Sequence, residues 1–120
     1  MTEIFVFGSN RAGRHGAAAA LAAMQLYGAR YGQGEGLQGN SYGIPTKDEK
    51  IVTLPLKDIK EHVNKFLAFA KEHPELTFNV TPIGCGLAGL KPQQIAPFFK
   101  GCSKNVRLPA VFIDVIGEQA

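Results

Sequence analysis

The chain has 120 residues, 45% of them hydrophobic and 19% charged, with a formal net charge of +3, which suits one domain over 1–120 with one core and leaves no room for a second. Its basic residues are scattered without a block of five or six, so a nucleic-acid footprint has only weak support. No apolar stretch nears membrane-spanning length and the start has neither a basic nor an apolar leader region, so the expectation is a soluble, cytoplasmic protein.

Residues 3–7 (EIFVF) read as a first strand, apolar nearly throughout as in a strand covered on both faces. They run into a glycine-rich turn over 8–16 (GSNRAGRHG) and then AAAALAAMQLY, whose propensity predicts a helix over about 16–27 closed by Gly28. Residues 32–40 (GQGEGLQGN) carry too much glycine for either regular element and are expected to form an exposed, mobile loop, with Gln33, Glu35, Gln38 and Asn40 as polar groups able to close over a ligand. A short strand follows over 41–46 (SYGIPT), placed at a sheet edge or ended by Pro45. After the polar turn KDEK, residues 51–54 are another short strand or an extended connection.

Over 56–72 the apolar positions Ile59, Val63, Phe66, Leu67 and Ala70 recur at three and four residues, predicting an amphipathic helix that His73-Pro74 terminates. Residues 77–83 form a central strand that empties into a second glycine turn. Pro92 opens a helix to about residue 100, which Pro97 shortens or kinks. AVFIDVI, 110–116, is the last strand. This alternation implies an α/β layered domain with a mixed, largely parallel sheet flanked by helices.

The second turn, Gly84-Cys-Gly-Leu-Ala-Gly89, has the spacing G-x-G-x-x-G directly after a β-branched run. Without side chains at Gly84, Gly86 and Gly89, main-chain amides can approach an anion, and the positive end of the helix after Pro92 would add to them. Two such turns at strand carboxyl ends argue for one ligand crevice on one sheet edge. A dinucleotide-binding domain fits poorly, because its fingerprint belongs in the first strand-to-helix turn with an acid about 20 residues on. Glycines serving only a tight turn are the plainer alternative.

Cys85 and Cys102 belong to no metal-spaced cluster, and His15, His62 and His73 show no arrangement that marks a base for Cys85. Cys85 reads as a small thiol filling a turn, and His62 and His73 as structural or solvated.

The strings YGIPTK and IGCGLAGL, with the helix and strand between them, resemble the macrodomain fold that binds ADP-ribose, in particular the branch of terminal ADP-ribose protein glycohydrolase. FGSN, G-R-H-G, YGQGEGLQG, IPTKD and GCGLAG also resemble a small macro-like family of bacteria and their phages. The resemblance implies a small-molecule ligand such as ADP-ribose or a related ribosyl-phosphate nucleotide, no metal and no further cofactor. It implies a phosphate loop over Gly84, Cys85, Gly86, Leu87, Ala88 and Gly89, and a ribose and diphosphate loop over Gly13, Arg14, His15, Gly16 and Ala17. Gly8 and Asn10 would lie at the end of the first strand, with Asn10 on the distal ribose and Arg14 on phosphate.

In the resembling glycohydrolase a lysine after I-T attacks the anomeric carbon and an aspartate in the second glycine turn assists. This chain has Lys47 at the first position and Ala88 at the second. A lysine without a desolvating or cationic neighbour is an ammonium and cannot attack, so Lys47 is expected to act electrostatically, or to be a plain turn lysine. The macrodomain Gly-Asp-Ile/Leu string, whose aspartate binds adenine, has no counterpart before the first strand. Three functions follow as expectations: a binding module for ADP-ribose or a related nucleotide, an ADP-ribosyl hydrolase using Lys47, and a nucleic-acid or protein-interaction domain.

Overall fold

The computed structural model describes residues 2–119. Strand β1 (Thr2–Asn10) alternates strictly: Ile4 and Val6 face one side of the sheet, Phe5 and Phe7 the other. Both faces are apolar because helices cover both. Helix α1 (Ala18–Leu26) sits on the Phe5–Phe7 side, where Ala20 and Ala23 are small enough to bring it down onto Phe7.

Strands β2 (Gly36–Gln38) and β3 (Ser41–Lys47) pair antiparallel, and β3 lies parallel to β1. Helix α2 (Leu56–Glu72) then crosses the opposite face to β4 (Leu76–Val80), which pairs parallel with the other side of β1. A four-residue helix α3 (Pro92–Ile95) and a 3-10 turn (Ala96–Phe99) lead to the two-residue β5 (Val106–Arg107) and helix α4 (Ala110–Gln119). Among the described residues the sheet order is β2-β3-β1-β4-β5, with only β2 antiparallel, so the α/β class and the mixed, largely parallel sheet are as the sequence predicts.

The larger core lies on the α2 face. Ile59, Val63, Phe66 and Ala70 of α2 are fully buried against Ile4, Val6, Tyr42, Ile44 and Phe78, and Phe66 meets Tyr42, Phe78 and Phe99 edge-on. Burial of Ile59, Val63 and Phe66 contributes about 1.5–3 kcal/mol each by leaving water. On the α1 face the β4–β5 half is polar instead, with Asn79 and Arg107 both bonded to Glu3.

Three expectations are corrected. The AVFIDVI segment is helix α4, not a strand: Phe112 and Val115 are buried while Val111 and Ile113 are exposed, a three-residue spacing that a strand does not give. The glycine-rich segment 32–40 is not an exposed mobile loop, since it contains β2 and buries Gln38, whose side chain bonds Arg30 N, Gln33 O and Gly36 O. The third correction concerns β3, which is an internal strand. Pro45 is tolerated there because β2 covers only Ser41 to Gly43, leaving that flank of β3 without a partner strand at Pro45. Residues 51–54 form no strand; Thr53 makes only an isolated bridge to Lys47.

Candidate functional site

The chain leaves β1 for β3 over one face and β3 for β4 over the other, so the strand order reverses at β1. Carboxyl ends of strands flanking such a reversal are where open α/β sheets hold ligands. A cavity of about 630 Å³ lies there, a volume suited to a small molecule. Its floor is the end of β1 (Gly8, Ser9, Asn10) and of β3 (Thr46, Lys47), and its walls are the start of α1 with Arg14 and the turn 81–88 after β4.

The two glycine turns converge. A Cβ on Gly8 would stand 3.4 Å from the amide nitrogen of Gly84, so β1 and the second turn meet backbone to backbone. Gly84 also adopts φ +75°, which a side chain disfavours. Gly86 has neither restriction: a Cβ there meets nothing within 4 Å. The amides of Gly84, Gly86, Leu87 and Ala88 find no acceptor among the described residues, and all four residues line the cavity. Cys85 N and Gly89 N instead close the turn on Pro82 O and Gly86 O.

Helix α1 adds a second group of free donors. Ala17 at its N-cap supplies no side-chain bond, the first turn carries no acid, and the amides of Ala18, Ala19 and Ala20 have no acceptor among the described residues. Ala18 takes φ +51°, a strained geometry for alanine, within the cavity wall. The first turn is held by Asn10, whose Nδ2 donates to Arg14 O while its Oδ1 accepts from Arg14 N.

Two cations face this space. Arg14 is exposed and Lys47 half-buried, and neither side chain has a hydrogen-bond or ion-pair partner among the described residues. Among the described residues, no Asp or Glu lines the cavity. Asp48, next to Lys47 in the chain, turns its Oδ1 to the amides of Lys50 and Val52, which hold its carboxyl below the usual value of 3.8. Cys85 lines the wall, and burial pushes its thiol up, away from the thiolate form.

Of the residues singled out in the sequence, Gly8, Asn10, Arg14, Gly16, Ala17, Lys47, Gly84, Cys85, Gly86, Leu87 and Ala88 line the cavity together. Gly13, His15 and Gly89 do not. His15 is fully buried, edge-on to Phe7, and its Nε2 faces Gln33 O at 2.9 Å and Gln38 Oε1 at 3.2 Å. Both are acceptors, so Nε2 carries the proton, and His15 supports segment 33–38 from below and does not stand at the mouth of the crevice. Gly13 is required because the chain crosses itself: a Cβ there would stand 2.4 Å from Gly32 C, and Gly32 N donates to Gly13 O. The short α3, the helix expected to add its positive end, contributes no residue to the cavity.

Sequence reasoning missed Tyr31 and Ile51 on the apolar rim, which they share with Leu87, and the role of Glu35. Glu35 bonds His62 Nδ1 and Lys65 Nζ of α2, and Arg11 approaches His62 Nε2 and Asp58, so charged groups fasten segment 33–36 and the first turn to α2. No local pattern marks these partners, which stand 27 to 51 positions apart.

No helix among the described residues is long and apolar enough to cross a membrane. No protein-family model, curated protein or solved structure matches the chain.

Proposed function

We propose that the protein is a macrodomain-like module that binds ADP-ribose or a related ribosyl-phosphate nucleotide in this cavity. One observation carries the reading: Arg14, Lys47 and seven unpaired main-chain amides surround a carboxylate-free space. Amides and guanidinium are strong donors to phosphate oxygens, and an uncapped helix start favours negative charge. With no acid on the wall, nothing repels a diphosphate.

Binding without turnover is favoured over hydrolysis. Attack on an anomeric carbon needs a carboxylate or a deprotonated nucleophile beside the ribose. Ala88 stands where the resembling hydrolase has its aspartate, and the Asp48 carboxylate is engaged in its own turn. The test is calorimetric titration with ADP-ribose, ADP, AMP and NAD, alongside an assay for release of ADP-ribose from a modified protein. Saturable binding of ADP-ribose without release is expected. Absence of binding by all four ligands would refute the reading, and release abolished by Lys47→Ala would replace it with the hydrolase.

A further inference from the structure

Residues 48–53 build a turn with two apolar side chains, of which Ile51 lines the cavity and Val52, 58% exposed, does not. Asp48 N donates to Val52 O and Ile51 N to Asp48 O, while the Asp48 carboxylate binds the amides of Lys50 and Val52 at 2.8 and 3.0 Å. This closed set of bonds fixes Ile51 at φ +63°, a conformation costly for a β-branched residue. Strain of this kind persists only where surrounding bonds impose it. The side chain so held is 37% exposed and lines the cavity.

A second apolar side chain stands on the neighbouring turn. Thr53 donates its hydroxyl to Ala88 O at 2.9 Å, fastening the 48–53 turn to the second glycine turn, whose Leu87 is 68% exposed and also lines the cavity. Beyond Arg14, Lys47 and the exposed Tyr31, the polar side chains of the lining offer little to read a ligand's edge. Ser9, Thr46 and Thr81 donate to the carbonyls of Asn10, Ser9 and Val6, Asn10 has both amide atoms on Arg14, and no carboxylate is present among the described residues.

We propose that Ile51 and Leu87 form an apolar clip that grips the face of a planar heterocycle attached to the bound phosphate, without reading its hydrogen-bonding edge. The site then selects sugar phosphates carrying a flat base, whichever base it is. This rests on the anion-binding reading above and adds to it the class of group held beyond the phosphate. Contact with a base face removes apolar area from water on both partners and is indifferent to ring substituents.

The experiment titrates AMP, GMP, UMP and ribose 5-phosphate, with ADP-ribose and pyrophosphate as further probes, into the unaltered chain, Ile51→Gly and Leu87→Ser. The three mononucleotides are expected to bind within about threefold of one another and about tenfold tighter than ribose 5-phosphate. Both substitutions are expected to remove that tenfold margin, and Ile51→Gly, which lies outside the phosphate-binding amides, to leave ribose 5-phosphate unchanged. Ile51→Gly is expected to melt no lower than the unaltered chain, since glycine accepts the left-handed geometry. Nucleotides no tighter than ribose 5-phosphate, a strong preference for one base, or a margin that survives both substitutions would overturn the clip while phosphate binding stands. If no probe binds, the anion-binding reading has failed and the clip falls with it.

Discussion

Asn10 spends both ends of its side-chain amide on one residue, donating to the carbonyl of Arg14 and accepting from its amide, each at 2.9 Å. The side chain therefore sets where the loop carrying the Arg14 guanidinium stands. Asn10→Ala removes two bonds from a site where the asparagine is 7% exposed, and is expected to cost about 1–3 kcal/mol in urea denaturation. ADP-ribose affinity is expected to fall with it. Unchanged stability would mean that the loop holds its shape without this clamp.

Gly84 and Gly86 separate a conformational demand from a ligand demand. Gly84→Ala meets the left-handed backbone and the Leu90 side chain 3.4 Å away, so it is expected to destabilise by about 1 kcal/mol or more. Gly86→Val projects into open space beside the cavity and is expected to leave the melting temperature within a degree or two while weakening ADP-ribose binding. Parallel thermal melts and titrations distinguish the two. Equal affinity in Gly86→Val would place the phosphate elsewhere.

Lys47→Ala and Arg14→Ala remove charges without protein partners. Stability is expected to stay within about 0.5 kcal/mol. Affinity for ADP-ribose is expected to drop about tenfold for each, with the loss shrinking as salt rises. A salt-independent loss would argue against an electrostatic role.

Ala18 starts α1 at φ +51°. Ala18→Gly relieves this strain and is expected to stabilise the chain by up to about 1 kcal/mol, the reverse of the usual effect of glycine in a helix. Denaturant midpoints compared at equal slope test it. A destabilised variant would show that the strain at this position is small.

The depressed Asp48 carboxyl, held chiefly by its bond from the Val52 amide, makes the 48–53 turn acid-sensitive. A lowered folded value means that its contribution is complete above the ordinary value of 3.8 and is lost as pH falls through the lower folded value. The protection of the Lys50 and Val52 amides, taken relative to their intrinsic exchange at each pH, is therefore expected to fall as pH drops below 3.8 and to stay level in Asp48→Asn, which keeps an acceptor oxygen. Protection that ignores pH in the unaltered chain would contradict this.

Strong periodicity was legible in the sequence. Helix α2 runs over the predicted residues because Ile59, Val63, Phe66 and Ala70 obey one period and Pro74 stops the chain. The convergence of the glycine turns followed from their positions after two strands. What escaped was set by distant partners. Helix α4 carries β-branched residues that favour a strand locally, yet Phe112 and Val115 pack on the 3-10 turn, and β5 already pairs with β4 through Val106 and Arg107. The glycines of 32–36 suggested slack, while Gly34 is glycine because a Cβ would stand 2.1 Å from Asn10 O. His15 and Glu35 found their partners only once that crossing was made.

That crossing changes how the chain can be engineered. A glycine-rich stretch normally invites trimming or the insertion of a tag. Here residues 32–36 act as a keel: shortening them would strip the cover from His15 and release the turn bearing Asn10 and Arg14 together. Added sequence belongs instead at the far end of the sheet, around the exposed Gly101, where a Cβ would meet nothing and no wall of the cavity is disturbed.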